Sequence, residues 1–545
     1  MSTKWAILIL FLAGIAAYGN TVRNRLFWDD DEFITKNAYI RSFRYLPQWL
    51  SQPLTAGAGV NSNYYRPLLQ LSFAIDYKLW GLWPAGYHLE NILWHTAAGI
   101  MLFVFLTEFL RNSRFQISDL KFVIMVSLTT ALAWLVHPVH VEAVAYANSR
   151  GDSMATVFIL LTLILWMKKR FWASAAAFLA ALLSKEFAIV TPGLIILIEI
   201  AKNFKSNSKN QLSKSKFLKI GNWSLKIGIF IAIAAIYVIL RLTVLNFQNT
   251  LNFYGVDLAK ADQAQPLARY ATSLPVRLMT FMKVLPIYAK ILVWPNDLHV
   301  ERTVEIPISF SDPTTLSAIG LLVLIGLLVY WLLTKHKQYL PMFVSAWFFI
   351  SILPVSGIIP ISQILAEHFL YLPSIGFFLI TSWFIVAGIS KVIKTARWRR
   401  ATLLIVFCSL LIPLLLKTIR QNRIWRDPIT FYEYTLSRTT PTARVYNNLA
   451  MAYADSGNHE KAISNYQLAI GLGDVYPNPH YNLGNTLIEL GRTEEAEQEY
   501  KRALEIDQSF HYATLKLGQM CIDQGKIDDA KKIVCPVFPA QPLCR

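Results

Sequence analysis

Long apolar runs recur in this chain as far as Leu416, and nothing else constrains its fold as strongly. Eleven candidate spans can be read: Trp5–Tyr18, Ile92–Leu110, Phe122–Val136, Met154–Met167, Phe171–Leu183, Ile189–Ala201, Ile227–Leu245, Leu316–Leu333, Tyr339–Ile358, Leu370–Ile389 and Ala401–Leu416. In a bilayer each backbone N–H and C=O must be satisfied inside its own segment, so runs of this kind are helices. A composition that is 54% hydrophobic agrees with a mainly α, polytopic membrane protein and argues against a soluble enzyme. Several runs fall short of the roughly 20 residues that cross a membrane upright, so tilt or longer ends are expected. A further stretch, Leu278–Trp294, would break the parity of the spans and is expected to be interfacial or re-entrant.

The net charge of +18 invites a nucleic-acid reading, but its distribution does not support one. From Pro441 onward 13 acids stand against 10 bases, so the excess lies in the apolar part. There it sits in short loops. Lys202–Lys226 carries seven lysines and no acid, and Lys168-Lys169-Arg170, Lys335-His336-Lys337 and Lys391–Arg400 are also basic. All four fall on one side if the N-terminus is cytoplasmic, which is the positive-inside pattern. Read instead as a cleaved signal peptide, the first run would leave the rest of this topology unchanged.

The tail follows a different rule. Leu449, Leu483 and Leu517 are 34 residues apart, as are Ala462, Ala496 and Ala530; Tyr466 and Tyr500 keep the same step. Ala450, Gly484 and Gly518 follow the leucines directly. This is the tetratricopeptide period, two antiparallel helices per unit with small residues at the close crossings. About three units give an α-solenoid, the third with Val534 in place of tyrosine. Such arrays bind polypeptides or proteins; the plainer alternative is a brace for the membrane part. The expected division is therefore a membrane domain over 1–418 with an extracytoplasmic loop at 19–91, a linker at 419–440, repeats at 441–535 and a tail at 536–545. Of four cysteines, Cys535 and Cys544 flank a proline-containing turn and can pair, leaving Cys521 over.

On this topology the mixed polar clusters all reach the extracytoplasmic face. Asp29, Asp30, Asp31 and Glu32 follow Trp28; then come Tyr65-Arg66-Pro67, a run from Asp76 through His88, Asn91 and His95, His137-Pro138-Val139-His140-Val141-Glu142, Ser149-Arg150-Gly151-Asp152, Ser184-Lys185-Glu186 and Glu367-His368. Ionisable groups near membrane depth are costly and point to function. Carboxylates beside cations at a bilayer surface suit transfer from a lipid-phosphate-linked sugar: cations hold the departing phosphate and a carboxylate takes the proton of an attacking hydroxyl. No P-loop or dinucleotide fingerprint is present.

These residues resemble a known family. Trp28-Asp29-Asp30, Tyr65-Arg66-Pro67-Leu68, Leu71-Ser72-Phe73, Trp80-Gly81-Leu82, Tyr87-His88-Leu89, His137-Pro138-Val139-His140-Val141-Glu142, Arg150-Gly151-Asp152, Leu183-Ser184-Lys185-Glu186 and Tyr371-Leu372-Pro373-Ser374 are similar to the transmembrane-and-tetratricopeptide protein O-mannosyltransferases, of the GT-C class. The resemblance implies transfer of mannose from a polyprenyl- or dolichyl-phosphate donor to Ser or Thr hydroxyls of extracytoplasmic polypeptides, with inversion. It places the base at Asp29 or Asp30, with a slight preference for Asp30. Arg66, Arg150, Lys185 and His368 are the candidate phosphate contacts; Glu142, His137, His140 and Glu367 are positioning candidates. Glu142 and Arg150 can alternatively form a structural ion pair with each other. The family has Glu-Arg where this chain has Glu367-His368, so His368 would hold phosphate only when protonated. The short repeat array favours a bacterial inner-membrane relative, with the endoplasmic reticulum as the eukaryotic alternative. No cofactor or metal is expected, although the acid run can in principle hold Mg²⁺ or Mn²⁺. Partners are the lipid-linked sugar, an acceptor polypeptide and membrane lipid, not nucleic acid. The competing readings are the same chemistry on a glycan or lipid acceptor, a non-enzymatic repeat scaffold, and, least favoured, a transporter, whose polar groups would gather at the midplane of inverted repeats.

Overall fold

The computed structural model describes residues 3–60, 62–112, 119–203, 223–246, 266–307, 312–336, 338–359, 361, 363–538 and 541–544. Most of the lysine-rich loop Lys202–Lys226 lies outside them, as does Lys337. Among the described residues every regular element is helical. The chain divides into two compact units, Met1–Arg426 and Asp427–Arg545.

In the first unit all eleven apolar runs fall on helices, but their lengths differ. Seven are long and apolar enough to cross a membrane: Thr3–Arg23, Pro84–Asn112, Ala147–Met167, Leu225–Leu242, Pro313–Lys335, Ser374–Val392 and Ala396–Asn422. An eighth, Leu120–Val136 with Pro138–Ala145, is bent by 54° where Pro138 interrupts the hydrogen-bond ladder. Phe171–Ser184, Thr191–Asn203 and Leu340–Ile352 are shorter, with 14, 13 and 13 residues. The stretch expected to be interfacial is a 20-residue helix, Leu274–Val293, holding Pro286 and the basic Arg277, Lys283 and Lys290.

Burial separates lipid-facing helices from central ones. The apolar window of Ala147–Met167 is 78% buried, that of Pro313–Lys335 only 6%. Leu324, Trp331 and Leu404 stand exposed, which water would penalise and a bilayer does not. The core runs through the helices Pro84–Asn112, Leu120–Val136, Arg150–Met167 and Ser374–Val392. The end of the first helix is fastened to the end of the last. Asn422 Nδ2 donates to the Ala17 carbonyl at 2.8 Å, Asn20 Nδ2 donates to the Ile419 carbonyl at 3.0 Å, and the Arg25 N–H donates to the Arg426 carbonyl at 2.9 Å. Within the segment 419–440 the last long helix runs on to Asn422, and a short helix, Pro428–Leu436, begins at an Asp427 cap.

The second unit contains three helix pairs: Ala443–Asp455 with His459–Gly471, Pro477–Glu489 with Thr493–Ile506, and His511–Asp523 with Ile527–Val534. Each pair turns at a glycine in the left-handed region, Gly457, Gly491 or Gly525, again 34 apart. The small residues sit where expected. A Cβ on Gly484 would meet the Tyr500 ring at 2.6 Å, and Val534 faces Gly518 in the same way. Cys535 and Cys544 are joined by a disulfide.

Candidate active site

The four consecutive acids do four different things. Asp30 is 1% exposed. Its Oδ1 accepts from the Asn148 N–H at 2.9 Å and its Oδ2 from the Phe27 N–H at 3.3 Å. Burial pushes its carboxyl well above the usual range, against the pull of those two N–H groups. Asp31 accepts from the Thr35 hydroxyl at 2.8 Å and pairs with Lys36 at 3.2 Å. Glu32 is raised by partial burial and by Asp29. Asp29 is half-buried and lies within electrostatic reach of the Tyr146 and Tyr64 hydroxyls.

The backbone at this point is held under strain. Trp28 has φ of 62°, a left-handed conformation costing about 1 kcal/mol for a residue with a Cβ. Its ring is stacked on Tyr146, with centroids 5.4 Å apart, and on Trp425 at 6.5 Å, while Tyr146 and Trp425 stack at 5.6 Å. The aromatic trio over-determines the turn that leads into Asp29 and Asp30.

Tyr64 joins this loop to the cations. Its phenol feels Arg66, Asp29, Glu186 and Glu32 together, and the Arg66 guanidinium lies 4.6 Å from its ring centre. Arg66 forms a forked pair with Glu186, with Nε–Oε2 at 3.0 Å and Nη2–Oε2 at 2.9 Å. Burial opposes ionisation of Glu186, but Arg66 holds its carboxyl below the usual range. Lys185 turns the other way, to Asp152 at 2.7 Å. Burial lowers its ammonium from the ordinary lysine value, with Arg66 adding to the effect. Arg241, within reach of Glu186, donates to Asn63.

The segment 137–150 binds these parts together. Asn91 Nδ2 donates to the carbonyls of Val144, Tyr146 and Ala147, at 3.2, 2.9 and 3.3 Å, and fixes the stretch that carries Tyr146 and Asn148. At its start Glu142 Oε2 accepts the N–H groups of Glu367 and His368, at 2.9 and 3.0 Å, and its Oε1 pairs with His368 Nδ1 at 2.8 Å. Glu367 accepts from the His299 N–H at 2.7 Å and from Arg302 at 2.9 Å. Burial pushes Glu367 up to about 8, despite Arg302.

The expected residues therefore sort into groups. Asp29 and Asp30 lie beside Tyr146 and Asn148; Arg66 pairs with Glu186 and Lys185 with Asp152; Glu142, Glu367 and His368 form one cluster. Glu142 does not pair with Arg150. Arg150 is fully buried and committed to Asp76 at 2.5 Å, Asn91 Oδ1 at 2.7 Å and the Tyr87 carbonyl at 3.0 Å. His137 accepts from the Val139 N–H at 3.2 Å, capping the turn after the bend. His140 is buried among Trp134, Tyr371 and Phe378, with neither ring nitrogen hydrogen-bonded among the described residues. Among the described residues no three of His, Cys, Asp and Glu are arranged to share a metal ion. Tyr64, Trp425, Asn148 and Arg302 escaped the sequence reading. Tyr64 adjoins a motif already singled out, whereas Arg302 and Trp425 carry no local signal.

The tetratricopeptide repeat family matches residues 441–509. Over most of its length the chain is similar to curated protein O-mannosyl-transferases. It is 26% identical over 476 residues to the F38B6.6 protein of Caenorhabditis elegans, covering 86% of this chain and 63% of that one. It is 26% identical to TMTC3 of Mus musculus, covering 77% and 46%, and 26% identical to TMTC4 of Homo sapiens, covering 85% and 66%. The chain thus spans about half to two-thirds of the length of these relatives. The crystal structure of the APC/C hetero-tetramer Cut9-Hcn1 aligns with a TM-score of 0.21 at 12% identity, which carries no argument.

Proposed function

We propose that this membrane protein transfers a sugar, mannose, from a polyprenyl- or dolichyl-phosphate donor to serine or threonine hydroxyls of polypeptides outside the cytoplasm. The observation that carries the reading is that the exposed Tyr64, whose ring is covered by the Arg66 of the Arg66–Glu186 pair, also lies within electrostatic reach of half-buried Asp29. The names of the relatives, protein O-mannosyl-transferases, support the sugar and the acceptor class.

Asp29 is the proposed base, in preference to Asp30. A base must reach the hydroxyl it deprotonates, and both Asp30 oxygens already accept backbone N–H groups in a buried position. Asp29 takes the acceptor proton as the hydroxyl oxygen attacks the anomeric carbon. The new C–O bond forms as the bond to the phosphate oxygen breaks on the opposite face, which inverts the centre. The electron pair leaves on the lipid phosphate. Arg66 and Lys185 stabilise that charge by exchanging their carboxylate partners for phosphate oxygens. Asp30 and Glu142 act as positioning residues: they tie 137–150 to the acid loop and to 367–368 respectively. The acid loop and the repeats are placed on the extracytoplasmic side, with the N-terminus cytoplasmic.

The test is sugar transfer by purified protein in lipid, with polyprenyl-phosphate mannose and Ser/Thr-containing peptides. Transfer by the wild type that is lost in Asp29→Asn supports the reading. Full transfer in Asp29→Asn removes Asp29 as base, and preferred use of a different lipid-linked sugar replaces mannose.

A further inference from the structure

The helix Leu225–Leu242 faces lipid along most of its length. Its apolar window is only 17% buried, and Ile231, Ile236 and Ile239 stand exposed. Phe230 fastens it to the bundle by packing on Trp166 and Phe178, with ring centres 5.5 and 5.6 Å apart. Near its end the helix carries two polar residues for which lipid offers no partner. Tyr237 and Arg241 are four residues apart and so share one face. Tyr237 is 8% exposed, and its hydroxyl oxygen is buried with no hydrogen-bond partner among the described residues. Arg241 donates to the carbonyls of Leu245 and Asn63 and, at 3.3 Å, to Asn63 Oδ1. Tyr237 lies within electrostatic reach of Glu186, Arg241, Arg66 and Tyr65.

A buried hydroxyl without a partner is costly, and folded proteins rarely leave one. An acceptor that arrives with a ligand accounts for it. The surrounding charge selects that acceptor. Arg66 is answered by Glu186, and Lys185 by Asp152. Arg241 pairs with no carboxylate among the described residues, since its hydrogen bonds go to neutral oxygens. A guanidinium and a hydroxyl donor on one helix face, with no anion between them, suit a phosphate diester, which offers one negative charge and several acceptor oxygens. The lipid-facing flank of the same helix favours a phosphate anchored in the bilayer over one free in water.

We propose that Tyr237 and Arg241 hold the phosphate of a polyprenyl-linked sugar that enters from the bilayer alongside the helix Leu225–Leu242. The Tyr237 hydroxyl donates to one phosphate oxygen, and Arg241 exchanges Asn63 Oδ1 for another. Unlike the contacts assigned to Arg66 and Lys185, this one breaks no ion pair. It therefore holds donor and released lipid phosphate alike, and its loss shows in binding and donor KM more than in kcat. The sugar on the lipid rests on the proposed transferase activity, but the phosphate contact does not.

The test uses the full protein in phosphatidylcholine discs and a fluorescent polyprenyl monophosphate that carries no sugar. Tyr237→Phe removes only the hydroxyl. It is expected to weaken binding about tenfold, as the loss of one charge-assisted hydrogen bond requires, while the melting midpoint stays or rises. Arg241→Gln is expected to weaken binding about tenfold or more, and Arg241→Lys to recover part of it by keeping the charge. Inorganic phosphate, and phosphatidylglycerol included in the discs, are expected to leave the probe bound. Displacement by the first would make this an aqueous phosphate site, displacement by the second an ordinary headgroup site, and either overturns the inference. So does a wild type that binds no polyprenyl phosphate, or binding unchanged in both Tyr237→Phe and Arg241→Gln. A lowered midpoint in Tyr237→Phe also overturns it, because the hydroxyl would then be bonded within the protein. Binding of the expected kind by a wild type that transfers no sugar upholds the inference while sinking the transferase reading. Sugar transfer with donor KM unchanged in both variants does the reverse.

Discussion

Asp29 and Asp30 are covalent neighbours with opposite surroundings, and the difference makes separable predictions. Asn at position 30 keeps one acceptor oxygen but turns an NH₂ toward a backbone N–H, a donor facing a donor in a buried site. Asp30→Asn should therefore cost about 1–3 kcal/mol and lower the thermal midpoint, while the protein that remains folded keeps most of its turnover. Asp29→Asn should leave the midpoint alone and reduce kcat by about 10²–10⁴-fold. Single-turnover rates beside melting curves distinguish the two, and the opposite pattern would move the base to Asp30. The Arg66–Glu186 pair allows a similar separation. Arg66→Met leaves a partly buried carboxylate without its partner and should cost roughly 1–3 kcal/mol, less than a fully buried pair. Adding Glu186→Gln should restore most of that stability but not donor affinity, because the lost cation is still lost. Recovery of both by the double variant would leave the pair a structural role only. The acid run was legible in the sequence because acids are scarce there; the division of labour within it was not. What buries Asp30 is an N–H 118 residues away, and what twists Trp28 is a stack completed by Trp425.

At the scale of elements, periodic patterns were easy to read and convergent ones were not. The 34-residue step announced each repeat, and the small residues following Leu449, Leu483 and Leu517 located the helix crossings, because one steric demand recurs at every unit. Arg150 illustrates the converse. Its motif and charge suggested a ligand contact, yet it folds inward onto Asp76, Asn91, Ser72 and Tyr87, partners from helices that only the tertiary fold brings together. One element of the repeats carries a pH prediction. His480 is buried between Asp474 at 2.8 Å and Glu499 at 2.5 Å. Burial disfavours its cation, but the two carboxylates outweigh burial and raise its pKa above the ordinary histidine value. A group with a raised folded pKa contributes stability that is complete below the unfolded pKa of about 6.5 and is lost as pH rises through the folded value. Amide exchange in residues 472–506 should accordingly speed up as pH is raised from about 6.5, after correction for intrinsic rates. His480→Gln should flatten that dependence. A dependence that survives the substitution would assign it to another group.

For the whole molecule, the sequence could count apolar runs but not measure them. Phe171–Ser184 and Leu340–Ile352 read as spans because short apolar runs look alike whether they face lipid or a protein core. The proposed orientation does not depend on resolving each of them. It depends on the basic loops sharing one face and the acid loop taking the other, and this predicts a labelling pattern. In protein whose free cysteines Cys408 and Cys521 are replaced by serine, a single cysteine at the exposed Ser51 should react with a membrane-impermeant maleimide applied to intact cells. One at the exposed Lys169, in a basic turn, should react only after permeabilisation. The reverse pattern would put Asp29 in the cytoplasm, where a nucleotide-linked donor would have to replace the lipid-linked one. Reaction of both from outside would mean that one of the three crossings between these sites fails, and the bent pair Leu120–Val136 with Pro138–Ala145 is the one that would turn back. Because Asp29, Arg66 and Lys185 belong to one compact unit, the reverse pattern would change the donor and the compartment, not the choice of base and cations on which the chemistry rests.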